Sequence, residues 1–254
     1  MIDIHCHILP GVDDGAETLA DSVEMAKAAV DQGIRTIVAT PHHRNGKYEN
    51  TKNEILHYTN NLNEKLVSEG IPLIVLPGQE TRINGDIIDG LAKDEIMPIN
   101  EFKYVFVEFP SEQVPGYAKQ LLFDIQVVGY IPIIVHPERN REIIEHPSVL
   151  YELIRKGALS QITAGSICGK FGKNLQKFSH QLVEANLTHF IASDAHNTTS
   201  RGFCLEEAYH ELQKQHGNEA LYMYRENCEL LISGKTVNRD EAHPVKRKKI
   251  LGLF

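Results

Sequence analysis

The chain lacks any apolar stretch approaching the roughly 20 residues that a membrane span needs, and it has no excess of basic charge. With 26 Lys and Arg against 34 Asp and Glu the formal charge is −8. That balance argues against a general nucleic-acid binder, which presents a basic face. Cysteine is scarce. Cys6, Cys168, Cys204 and Cys228 are irregularly spaced, so neither a disulfide framework nor a Cys-x-x-Cys zinc site is indicated. Asp3 and His5 arrive before an apolar h-region can form, and no signal peptide is expected. Together these absences read as a cytoplasmic protein with reduced thiols.

What the chain does have is a cadence. Short β-branched or apolar runs recur at Ile2–His5, Thr36–Thr40, Leu73–Leu76, Tyr104–Val107, Ile131–Val135, Gln161–Thr163 and His189–Ala192. Helical patterns lie between them. In Thr18–Gln32, Leu19, Val23, Ala26 and Val30 share one face before Gly33 supplies a stop. Thr51–Glu69, Tyr117–Val128, Ser148–Lys156, Asn174–Asn186 and Leu205–Gln215 read the same way. Such alternation predicts parallel strands joined by right-handed crossovers. Seven units suffice to close a barrel, with an open doubly wound sheet as the alternative. No linker rich in Pro, Gly or Ser divides the chain, so one domain over residues 1–254 is expected, with a basic tail over about 240–254.

Six of the seven runs lead within a few residues to a metal-type ligand. His5 and His7 follow the first, projecting the same way because strand side chains alternate with period two. His42 follows the second, Glu80 the third, Glu108 ends the fourth, His136 the fifth, and Asp194 with His196 the last. The sixth, ending in Thr163, offers none. Chemistry collects at the carboxyl ends of parallel strands, where loops converge on one face. A lone strand-end histidine is usually a capped loop residue, and a lone Glu108 reads as an edge charge. Six together are hard to reconcile with the rarity of unpaired buried charge. Cys6, between two ligand candidates, points the other way and is read as packing. His43, His57, His146 and His210 are read as surface residues.

The segments around His5 and His7, Asp13-Asp14-Gly15, Thr40-Pro41-His42, Gly78-Gln79-Glu80, Val107-Glu108-Phe109, His136-Pro137-Glu138-Arg139 and Ser193-Asp194-Ala195-His196, with Arg201 close behind, resemble the PHP (polymerase and histidinol phosphatase) superfamily. Within it the chain is most similar to the manganese-dependent protein-tyrosine phosphatases of Gram-positive capsule and exopolysaccharide loci. The resemblance implies a distorted seven-stranded β/α barrel holding up to three Mn²⁺ ions, with Fe or Zn as possible substitutes. It implies one ion on His5, His7, Glu80 and Asp194, and a second on Glu80, Glu108 and His136. A third falls on Asp14, His42 and His196, with Asp13 as an alternative to Asp14. Arg139 and Arg201 resemble the residues that grip phosphate. The implied substrates are phosphotyrosine proteins, above all an autophosphorylating tyrosine kinase controlling polysaccharide synthesis.

The chemistry fits that reading. Three divalent ions outweigh the four carboxylates by two charges, and two arginines add a planar fork suited to phosphate oxygens. Metal-activated water then attacks phosphorus, and a phenol of pKa about 10 leaves without needing a strong general acid. A thiolate route would require Arg six positions after a Cys, but Val12, Asn174, His210 and Gly234 stand there. Alternatives are a phosphatase for histidinol phosphate or another small phosphomonoester, and a non-catalytic metal-binding docking partner of a kinase. An amidohydrolase would want a bridging lysine, which no central strand supplies. Gly165–Gly172 reads as a loop into the next helix, with a phosphate cradle as the alternative. Lys246–Phe254, basic then apolar, reads as a solvated tail or an arm on a neighbouring subunit of a homo-oligomer, with acidic lipid or a partner as the alternative.

Overall fold

The computed structural model of the chain describes residues 1–246. Its strands are β1 (Ile2–Cys6), β2 (Thr36–Ala39), β3 (His42–His43), β4 (Ile74–Pro77), β5 (Glu80–Arg82), β6 (Tyr104–Glu108), β7 (Ile131–Val135), β8 (Leu159–Thr163) and β9 (Phe190–Ala192). Between and after them come α1 (Leu19–Asp31), α2 (Lys52–Ser68), α3 (Ile87–Ala92), α4 (Ala118–Val127), α5 (Arg141–Glu145), α6 (Ser148–Arg155), α7 (Ala164–Ile167), α8 (Lys173–Glu184) and α9 (Leu205–Ile232). Every strand pair is parallel, as the strand–helix alternation predicts.

Two sheets result, ordered β1-β2-β4 and β3-β5-β6-β7-β8-β9. The second and third anticipated runs are each broken in two, so the described residues hold nine strands where seven runs are read from the sequence. The first break falls at Thr40-Pro41, where proline has no N–H for a ladder; its carbonyl instead takes the Glu80 N–H at 3.0 Å. The breaks divide labour. β2 and β4 stay with β1, while β3 and β5 carry His42 and Glu80 alongside β6. β9 returns beside β1, where Asp194 N–H reaches His5 C=O and His7 N–H reaches Ala195 C=O, both at 2.9 Å.

The strands are buried on both faces, which accounts for their near-continuous apolar character. One face gathers Ile4, Val38, Phe106, Ile133, Leu159 and Phe190. The other packs Ile37, Val75, Val105, Ile134, Ile162 and Ile191 against helix residues such as Val23, Leu62, Leu121, Leu153, Leu182 and Leu212. α9 runs past the end expected at Gln215, to Ile232, with Gly217 (φ 85°) as an internal break. The continuation has its own buried face: Tyr224 donates to Thr188 C=O at 3.0 Å and Asn227 to His189 C=O at 3.1 Å.

β1 holds the irregularity that matters most for function. Its register against β2 shifts between Asp3 and Cys6. Ile2 and Ile4 pack in the first core face, and strict alternation would put Cys6 there too, yet Cys6 lies in the other. The shift re-aims His5, whose ring centroid stands 5.2 Å from that of Phe106, as bulges do beside functional sites. None of the helices among the described residues is long and apolar enough to cross a membrane. Beyond Lys246, the basic and apolar end lies outside the described residues.

Candidate metal centre

His5 and His7 face one another across 3.3 Å between their Nε2 atoms. The outer nitrogens explain which atoms do so. His5 Nδ1 donates to Gln161 Oε1 at 2.9 Å, and His7 Nδ1 pairs with Asp13 Oδ2 at 2.6 Å. In a neutral ring each such bond leaves the lone pair on Nε2. Glu80 Oε2 lies 3.4 Å from one Nε2 and 3.3 Å from the other, and Asp194 Oδ1 lies 3.6 and 3.4 Å away. Ring nitrogens and carboxylate oxygens thus converge on one point, and both histidines are essentially fully buried. Asp13 and Asp14 therefore have separate places. Asp13 sits behind His7 and also accepts the backbone N–H of Gly15 and of His42. Asp14 reaches the cluster itself, 3.4 Å from both His42 Nε2 and His196 Nε2. The turn packs so tightly that a Cβ on Gly15 would stand 2.0 Å from His7 C=O, so only glycine fits.

Glu80 is the hub. Its Oε1 pairs with His136 Nε2 at 2.7 Å, and its Oε2 lies 2.9 Å from His42 Nδ1, which is 3.8 Å from Glu108 Oε2. Burial would raise the Glu80 carboxyl, but His5, His42 and His136 hold it well below the usual range. Burial and then Glu80 push Glu108 up. Four buried atoms here, His42 Nδ1, Glu80 Oε2, Glu108 Oε2 and His196 Nε2, have no hydrogen-bond partner. Such orphans are costly, and cations on this imidazole and carboxylate donor set would satisfy them. Within each of three sets the candidate ligand atoms lie no more than 4.8 Å apart: His7, Asp14, His42 and His196; His5, His7 and Glu80; His42, Glu80 and Glu108. Against the grouping the resemblance implies, these place His7 and His42 each in two sets and contain neither His136 nor Asp194.

A cleft of about 390 Å³ opens above, lined by Asp14, His42, Glu80, Glu108, His136 and Asp194 together with Arg139 and Arg201. Arg139 Nη1 donates to Asp194 Oδ2 at 2.5 Å and Arg201 Nη2 to the same oxygen at 3.2 Å. Two residues here take left-handed backbone that glycine usually occupies, His136 (φ 34°) and Asp194 (φ 54°). All eleven residues singled out from sequence thus come to one place.

Others went unassigned. Gln161 comes from the run that offers no ligand, because an amide orients rather than coordinates. Glu138, fully buried, accepts from Thr163 N–H at 2.9 Å and Ser166 Oγ at 2.8 Å, pinning the turn that carries Arg139. Arg82 Nε lies 3.1 Å from Glu108 Oε2. His43, expected at the surface, is 2% exposed and accepts the Asn50 N–H at 3.2 Å; as the neighbour of His42 in β3 it points away from the cluster into the protein. None of the cysteines lines the cleft. Burial holds the Cys6 thiol well above its ordinary pKa and pushes Cys228 up to about 12.

Comparison with known proteins adds to this geometry. A family model for capsular polysaccharide synthesis, CpsB/CapC, matches residues 1–233. Tyrosine-protein phosphatase YwqE of Bacillus subtilis (strain 168) is 57% identical over 254 residues, covering 100% of both chains. Putative tyrosine-protein phosphatase CapC of Staphylococcus aureus is 41% identical over 255 residues, again with 100% of both covered. A crystal structure from the pair YwqE and Streptococcus pneumoniae CpsB, described as unique metal-dependent tyrosine phosphatases, matches with a TM-score of 0.95 and 57% identity, over 97% of this chain and 100% of that one. Histidinol phosphate phosphatase of Lactococcus lactis is similar in fold alone, with a TM-score of 0.55 at 14% identity over 87% of this chain and 94% of that one.

Proposed function

The chain belongs to the capsular polysaccharide synthesis CpsB/CapC family, and we propose that it is a metal-dependent protein-tyrosine phosphatase that hydrolyses phosphotyrosine on proteins. The observation that carries the reading is the convergence of ring nitrogens and carboxylates beneath two guanidinium groups. We assign the ligand role to His5, His7, Asp14, His42, Glu80, Glu108, His136, Asp194 and His196, and the metal to Mn²⁺, up to three ions, with Fe or Zn as substitutes. The architecture proposed is one domain, a distorted seven-stranded barrel in which β2 with β3 and β4 with β5 each count as one strand. The proposed partner is an autophosphorylating tyrosine kinase controlling polysaccharide synthesis, and the proposed compartment is the cytoplasm.

Divalent ions held there supply Lewis acidity and an activated water for displacement at phosphorus. The chain's own groups do the rest. Gln161 and Asp13 keep the Nε2 atoms of His5 and His7 aimed inward. Arg139 and Arg201 turn from Asp194 toward a dianionic phosphomonoester, offering paired N–H groups to its oxygens. The buried floor excludes bulk water and strengthens these contacts. Phosphate release from a phosphotyrosyl peptide, measured with metal-stripped protein before and after adding Mn²⁺, tests the proposal. Preference for histidinol phosphate would move the assignment to a small-molecule phosphatase, and peptide binding without turnover would leave a docking protein.

A further inference from the structure

Phe171 stands between α7 and α8 with no role in the account above. It is 47% exposed, although phenylalanine is ordinarily buried. The Arg139 guanidinium lies over its ring, 5.8 Å from the centroid. On another side the ring meets Gly165, where a Cβ would stand 2.9 Å from Phe171 Cε2. The segment is fixed at its base, since Lys170 N–H bonds Gly165 C=O at 2.9 Å and Ser166 is tied to Glu138. The ring is therefore held at the surface by the fold.

Its surroundings say what such a ring can do. A groove of about 300 Å³ lined by Phe171, Lys170 and Thr198 shares Asp194 and Arg201 with the metal cleft. A phosphate gripped by Arg139 and Arg201 has this groove beside it for the rest of its ester. The other phenylalanines lining cleft and groove, Phe109 and Phe203, are only 5% and 7% exposed. Phe171 is the one with a face to give.

We propose that Phe171 is a specificity-determining residue: its ring is the platform on which the phenol ring of phosphotyrosine packs, favouring aryl over alkyl phosphomonoesters. This rests on the phosphatase reading above. Offset or edge-to-face aromatic pairs with centroids about 4.5–7 Å apart gain more than the area they bury, and an alkyl ester has no ring to pair.

Inhibition constants for inorganic phosphate, without a ring, and benzylphosphonate, with one, test the proposal on Mn²⁺-loaded wild type, Phe171→Ala, Phe171→Trp and Gly165→Ala, with phosphotyrosyl-peptide turnover by the wild type followed alongside. Phe171→Ala should weaken benzylphosphonate by about 5- to 10-fold and leave inorganic phosphate within about twofold. Phe171→Trp should keep the wild-type ratio, and Gly165→Ala, which displaces the ring without removing it, should lose it. Equal weakening of both ligands in Phe171→Ala would mean the ring only props Arg139, and an unchanged ratio would mean it does nothing; either overturns the platform. Wild type that binds both ligands yet releases no phosphate from the peptide overturns the phosphatase reading, and ring selection with it.

Discussion

Gln161 on β8 and His5 on β1 lie 156 residues apart in sequence and 2.9 Å apart in space, joined by the His5 Nδ1–H and the Gln161 carboxamide oxygen. A neutral amide fixes the tautomer without adding negative charge to a floor already crowded with carboxylates. Gln161→Leu removes no ligand, yet it should weaken metal binding by about 10- to 100-fold, as loss of such an orienting partner does. Chelator competition measures it, and unchanged affinity would reduce Gln161 to packing.

Metal removal should destabilise the fold and abolish activity together. Without ions the cluster would leave buried polar atoms unpaired, and the unfolded chain has no assembled cage for the ions. Melting curves with EDTA and after Mn²⁺ addition should move in parallel with phosphatase activity. Full activity in metal-free protein contradicts the mechanism.

Arg139→Ala and Arg201→Ala should each lower kcat/KM by about 10²-fold, on the order of 3 kcal/mol. Lysine should restore only part, since a point charge cannot reproduce the fork. Because both arginines bond Asp194, metal content must be assayed in each variant. Were they only surface ion pairs worth about 1 kcal/mol or less, steady-state kinetics on a phosphotyrosyl peptide would hardly change.

Replacing all four cysteines with alanine or serine should leave substantial phosphotyrosine hydrolysis, whereas His136→Ala should nearly remove it. His136 touches Glu80 at 2.7 Å, while the thiols lie outside the cleft lining. Complete loss in a folded Cys168 or Cys204 single variant would revive a thiolate nucleophile.

His189 offers a pH test away from the cluster. Burial lowers its pKa to about 3 from 6.5, and its Nδ1 accepts the Ser160 N–H at 3.2 Å. The folded chain keeps the ring neutral while the unfolded chain protonates it below 6.5. Stability from this residue is therefore present above pH 6.5 and lost as pH falls toward 3, at about 1.4 kcal/mol per pH unit. Denaturant titrations between pH 7 and 4 should show a shallower loss in His189→Gln. Equal slopes would show that the ring is not held neutral.

The candidate ligands other than Asp14 were legible because each follows a run whose apolar character comes from burial on both faces, so that strand ends and candidates coincide in sequence; Asp14 stood out only through the family resemblance. His5 and His7 could be paired from period two alone. The register shift that turns them inward could not, since it depends on how β1 meets β2. Helix starts were readable at Thr18, whose side chain takes the Asp21 N–H. The second half of α9 was not, because Gly217 looks locally like a stop and only Thr188 and His189 show why the helix resumes. Gln161 and Glu138 stayed silent for a related reason. Their work is to hold another residue, and that partner is distant in sequence.

The left-handed backbones at His136 and Asp194 set comfort against usefulness at the same two positions. Each costs about 1–3 kcal/mol in a residue with a Cβ, and glycine would relieve it while deleting an imidazole or a carboxylate. Selection for thermal tolerance alone would favour that exchange, and selection for phosphate chemistry forbids it. An engineer seeking a hardier version of this protein must therefore look to the helices and the outer surface, and leave two uncomfortable turns as they are.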